Sequence, residues 1–217
     1  MRESASQHGD RLLRTWRVIL LITGGVRFFA AEPLVAQGGA GATGTGALPP
    51  ARAALARAVQ EVEALDLLRS TLARTFAAGG VSANDSTFAQ VCKPVKGKAM
   101  ALAKETGWTI SQLALRNRNA DNALDDEALR AYRQLQKDPA LTGLMRHTIR
   151  RGVAGTRYFR RITVEPACLA CHGVRDQRPE FVTKNYPADR AYGFAAGDLR
   201  GVYSVFIPDT AKADDRR

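Results

Sequence analysis

Two cysteines and a histidine within five residues, Cys168-Leu169-Ala170-Cys171-His172, constrain this chain more than any other stretch. C-x-x-C-H is the attachment signature of c-type haem. The two thiols add across the porphyrin's vinyl groups as thioethers. The residue that follows then lies under the iron and supplies an axial nitrogen. A bare C-x-x-C also serves zinc and thioredoxin-like redox sites. Zinc wants a second ligand pair, and beyond the motif the chain has only Cys92, His8 and His147, none of them paired. A thioredoxin-like motif opens the first helix of a βαβ unit. Here the motif lies late, with no βαβ pattern before it. The expectation is one covalent haem c, with Cys168 and Cys171 as thioethers and His172 on the iron.

The length of 217 residues is ample for one domain with its own core. No apolar run reaches the ~18 residues of a membrane-spanning helix. The formal charge is +11. It points to an anionic partner or an acidic membrane surface, the plainer alternative being a solubilising surface. The basic residues are scattered and match no nucleic-acid motif, so nucleic acid is not an expected partner. The cysteine count is three. If Cys168 and Cys171 carry thioethers, Cys92 is left alone and no internal disulfide can form.

Residues 1–36 read as a secretory signal. Arg11, Arg14 and Arg17 precede a short apolar run, Val18 to Val26, and small residues follow. The alternative is an uncleaved amphipathic anchor. Export fits the motif, because in bacteria haem c is attached outside the cytoplasmic membrane. The expected location is therefore the periplasm. Residues 37–50, QGGAGATGTGALPP, form a flexible linker. The haem-binding domain spans 51–208, and 209–217 is a charged tail.

Within that domain, Leu55, Val59, Val62, Leu65, Leu68, Leu72 and Phe76 recur at helical spacing and predict a helix over 51–78. The stripe is either core or the seam of a homodimer. A second helix, capped by Asp85 or Ser86, runs to Gly107 through Pro94. Its apolar face holds Phe88, Val91, Cys92, Val95, Ala99, Leu102 and Ala103, which places Cys92 on a buried face. A strand follows over 108–117. A helix over 126–137, capped by Asp125, comes next. Strands at 144–151 and 156–164 flank a Gly152–Gly155 turn, and a last strand spans 200–208. The long irregular stretch 173–198 has enough chain to wrap a cofactor. This order implies an α+β domain, an antiparallel sheet with helices on one side.

Cys92 is a candidate second axial ligand on the residues alone. It is the remaining thiol, and Pro94 interrupts the helix ladder beside it. Met100, Met145 and His147 compete for the role, and an inert buried cysteine is the ordinary alternative.

The runs Phe88-Ala-Gln-Val-Cys-Lys, Gly107-Trp108, Leu115-Arg-Asn, Cys168-Leu-Ala-Cys-His-Gly, Tyr192-Gly-Phe and Gly197-Asp-Leu-Arg-Gly occur in an order that resembles the single-haem c proteins of the Tll type. That family is described largely as a domain of unknown function. The resemblance covers residues ~85–208. It implies a PAS-like fold, with haem held between the motif histidine and a cysteine from an early helix, which matches Cys92. Family members stand alone in the periplasm or lumen, or form the input half of membrane sensors. No transmitter domain follows here, so a free-standing member is expected.

His/Cys ligation fills the iron and argues against an enzyme. A thiolate lowers the potential relative to Met/His ligation. It can also detach on reduction. The expected function is a redox or gas sensor, passing a signal or electrons to an unidentified partner. A simple electron-transfer cytochrome is the alternative. A peroxidase-type enzyme, which would have to use His147, is the remote one.

Overall fold

A computed structural model of the protein describes residues 50–80 and 82–209. The signal, nearly all of the linker, and the tail beyond Asp209 lie outside the described residues. The helices are α1 (Pro50–Ala78), α2 (Asp85–Thr106), α3 (Asp126–Lys137), α4 (Leu169–His172) and α5 (Glu180–Asn185). The strands are β1 (Thr109–Leu113), β2 (Gly143–Arg150), β3 (Val153–Thr163) and β4 (Leu199–Pro208). They form one antiparallel sheet in the order β1-β4-β3-β2. The domain is therefore α+β. Among the described residues, no helix is long and apolar enough to cross a membrane.

Helices cover both faces of the sheet, not one as the sequence pattern implied. Ala58, Val62 and Leu65 of α1 and Val95 of α2 pack on Tyr158, Ile162, Tyr203, Val205 and Ile207. On the opposite face, Ala128, Ala131, Tyr132 and Leu135 of α3 pack on Leu113, Phe159 and Val202. Side chains alternate along a strand, so β4 feeds both cores and is buried through nearly its whole length. Its near-continuous apolar run follows from that. Each fully buried Val or Leu contributes about 1.5–3 kcal/mol. The seam of α1 is thus occupied by intrachain packing along Ala58, Val62 and Leu65.

Local chemistry moves several boundaries. The cap of α2 is Asn84, whose side chain accepts from the Thr87 amide at 2.9 Å. Asp85 and Ser86 lie inside the helix, and the helix continues through Pro94. The β2–β3 turn is Arg151-Gly152, both at positive φ, with Arg150 paired to Val153. A two-residue turn of that kind matches the strand twist. Gly155, expected in the turn, sits within β3 opposite Thr148. The strand expected over 108–117 is limited to Thr109–Leu113, because Ala114 and the residues after it leave the ladder. The stretch 173–198 is less irregular than expected, since it contains α5.

Asp125 caps α3 as expected, accepting from the Ala128 amide at 2.9 Å. It also receives two hydrogen bonds from Arg157, each 2.8 Å. Burial alone would raise its pKa, but the Arg157 hydrogen bonds and the Ala128 amide together hold the carboxyl below the ordinary carboxylate value. A depressed folded pKa gives stability that is complete well above the unfolded value of 3.8 and is lost as pH falls below that value and through the lower folded one. The thermal midpoint should therefore be flat near neutrality and fall below about pH 4, measured by circular dichroism. A midpoint unchanged down to pH 3 would contradict this.

Candidate functional site

The C-x-x-C-H motif folds as a single tight turn. Pro166–Cys168 form a 3-10 turn that runs directly into α4, Leu169–His172. The Gly173 amide closes the turn on the Leu169 carbonyl at 2.8 Å. Cys168, Cys171 and His172 all face one cleft of about 1230 Å³, its open mouth included. Its walls are Ala73, Phe76 and Ala77 of α1, Phe88, Val91 and Cys92 of α2, Leu113 and Ala114, and Ile162 to Val164. The lining is mostly apolar, with a few convergent polar groups, as cofactor sites are.

Cys92 lies 76 residues before Cys168 in the chain and lines the same cleft. It does not sit in the core, as its place on the apolar face implied. Val91, Val95 and Leu102 fill the core side of α2, and the Cys92 thiol stays accessible. Val91 already borders the cleft, and one further residue, 100° of helix, carries Cys92 away from the core side. The cleft walls desolvate the thiol in part although Cys92 remains exposed at its surface. Partial desolvation, followed by the neighbouring Cys171, pushes the thiol up to about 11.

His172 is braced from behind. Its Nδ1 lies 2.7 Å from the Ala191 carbonyl oxygen. Burial first, then the cations Arg200 and Arg118, push the imidazole down to about 3, so it is neutral. A neutral ring that hydrogen-bonds a carbonyl must carry its proton on Nδ1. The Nε2 lone pair is then free for a metal. The Phe194 ring stands edge-on to the imidazole, centroids 6.2 Å apart.

This bracing explains much of the long stretch 173–198. The Phe194 amide donates to the His172 carbonyl at 3.1 Å, and the Gly193 amide to that of Gly173. Asp189 accepts from the Ala191 amide at 2.9 Å and from Arg178 at 2.9 Å. Burial would raise the Asp189 pKa, but these partners and Arg118 hold it below its ordinary value. Arg118 also donates to the Cys171 carbonyl at 2.9 Å. Arg116 donates to the carbonyls of Tyr192 and Gly193 and lies over the Phe194 ring. Motif reading missed Arg116, Arg118, Asp189 and Ala191, because they act through shape and carry no spacing signature.

The competing ligands are elsewhere. Met100 is 63% and Met145 45% exposed, and neither lines the cleft. His147 is on β2, 3.0 Å from Asp209. Among the described residues, no three His, Cys, Asp or Glu side chains converge as a metal set. Two protein donors suffice for a haem iron, since the macrocycle supplies the other four.

A cyanobacterial haem protein, Tll0287, known from its crystal structure, is similar to this chain at 39% identity and a TM-score of 0.66. The similarity covers 77% of this chain and all of that one. No curated protein matches. The sequence profile of the Tll0287-like family matches residues 49–208, and the chain belongs to that family.

Proposed function

We propose that this protein binds one haem c covalently, with thioethers at Cys168 and Cys171 and with His172 and Cys92 as axial ligands. We further propose that it serves as a periplasmic redox or gas sensor and not as an enzyme. The observation that carries the reading is the single cleft that gathers these four side chains from two distant segments. The donor set fits the group. The two motif thiols are half-buried and line the cleft, the histidine is neutral with Nε2 free, and the walls are mostly apolar. Family membership, with a similar chain that is a haem protein, supports it.

Bound haem would supply a one-electron iron couple. The chain's part is to hold, orient and shield it. The Asp189–Ala191–His172 relay fixes the imidazole plane. Ala73, Phe76 and Phe88 limit water. Cys92 is presented from a helix separate from the motif turn, so its release would leave a covalent anchor at Cys168 and Cys171 intact. This independence favours a ligand switch over a simple electron-transfer cytochrome.

In Cys168→Ser/Cys171→Ser, acid–acetone should remove all haem from the protein, whereas each single variant should keep one thioether. The haem stain on a denaturing gel reads this directly. Equal staining in the double variant and the parent protein would refute attachment at these residues.

A further inference from the structure

Three arginines, Arg69, Arg118 and Arg200, line the cleft, and among the described residues no carboxylate does. Arg69 is neutralised from outside the cleft by Asp66 at 2.8 Å. Arg118 is paired with Asp189. Arg200 differs. Its one hydrogen bond among the described residues goes to the Arg116 carbonyl at 2.9 Å, and it has no salt-bridge partner there. The carboxylate that acts on it is Asp189, already engaged by Arg178, Arg118 and the Ala191 amide. The Phe194 ring, 5.3 Å away, is its remaining stabilising neighbour.

The backbone is built to present this residue. Ile162 pairs with Gly201 and Thr163 with Leu199, so Arg200 is the unpaired extra residue of a β-bulge. Bulges re-aim a side chain next to functional sites. The next residue must be glycine, because a Cβ at Gly201 would lie 2.4 Å from the Leu113 carbonyl oxygen. A half-buried cation with no carboxylate of its own is costly, and chains keep one when an anion completes it. The cleft that Arg200 faces is also the one that gathers Cys168, Cys171 and His172.

We propose that Arg200 is the anchor for a carboxylate of the bound cofactor, a haem propionate, and that it fixes the rotational setting of the macrocycle on the motif turn. This rests on the haem reading above. The guanidinium fork offers a planar, bidentate match to a carboxylate. The same charge should raise the reduction potential, because a nearby cation favours the less positive ferrous centre. A free anion such as phosphate offers related chemistry, and the experiment separates the two.

The full-length holoprotein, its Arg200→Gln variant and its Arg200→Lys variant are compared by resonance Raman spectroscopy and potentiometry. In Arg200→Gln the propionate-bending modes should shift and the potential should fall, while the haem stays covalently attached. Arg200→Lys should keep most of the potential, yet still shift the modes, since the fork is lost. It carries the test if the glutamine variant fails to fold. Unchanged propionate modes in a folded variant would overturn the proposal, even if the potential moved. A wild-type potential that tracks added phosphate, with modes insensitive to both substitutions, would assign Arg200 to a solution anion and overturn it too. A colourless wild-type protein would instead refute the haem reading itself.

Discussion

Cys92→Ala should convert the ferric protein from a six-coordinate to a partly five-coordinate spectrum, open it to carbon monoxide and nitric oxide, and raise its reduction potential. The shift should be on the order of 0.1 V, within the about 0.8 V that axial ligands span. The direction follows from charge. A thiolate donates to iron and favours the ferric state, and its removal favours the ferrous one. The fold should survive, because Val91, Val95 and Leu102 pack the core while Cys92 faces the cleft. Among the described residues no substitute is at hand, since Met100 and Met145 do not line the cleft and His147, on β2, is engaged with Asp209. Cys92→Met is the matched control. It should hold the iron six-coordinate and raise the potential further. An unchanged spectrum and potential in Cys92→Ala would remove Cys92 from the site.

Arg157→Ala should be the most destabilising single substitution away from the cleft, by about 3–5 kcal/mol in denaturant unfolding. The Arg157 side chain is 1% exposed. It binds Asp125 with two hydrogen bonds, Glu127 at 3.0 Å and Ser204 at 2.8 Å, and it lies against the Phe159 ring. These contacts tie the start of α3 to β3 and β4. Truncation leaves a cavity, an unpaired Ser204 hydroxyl in the core and two carboxylates facing each other. Asp125 is 43% exposed and can turn to water, which places the loss near the lower bound. Arg157→Met refills much of the volume and should lose less. The total stability of a domain is about 5–15 kcal/mol, so the alanine variant keeps only part of it. A loss below about 1 kcal/mol would show that the network holds little of the fold.

Much of this was legible from spacing alone. The α1 stripe predicted a helix at 51–78, and the helix spans Pro50–Ala78. The α3 cap, the three later strands and the motif turn also follow from local chemistry. What spacing could not show was the sidedness of the helices. Alternation in β4 is masked because both of its faces are buried, so the second core under α3 left no polar stripe to read. Cys92 shows a related limit. On a helical wheel it sits at the margin of the apolar face, and a lining position beside a cleft has the same signature as a core position. The brace of Arg118, Asp189 and Ala191 was invisible for a third reason. It joins Arg118 to the Asp189 carboxylate, 71 residues away, and to the Cys171 carbonyl, 53 away, and His172 to the Ala191 carbonyl, at separations that leave no local pattern. Arg200 lay within the Gly197-Asp-Leu-Arg-Gly run that carried the resemblance, but only strand register exposes the bulge that lifts it out of the ladder.

The intact mass of the purified protein, measured under denaturing conditions after acid–acetone extraction, tests the cleft's assignment most directly. The expected mass is that of the polypeptide plus one haem, with the modification on the peptide containing Cys168 and Cys171. An unmodified polypeptide mass, with haem in the extract or zinc in its place, would contradict it.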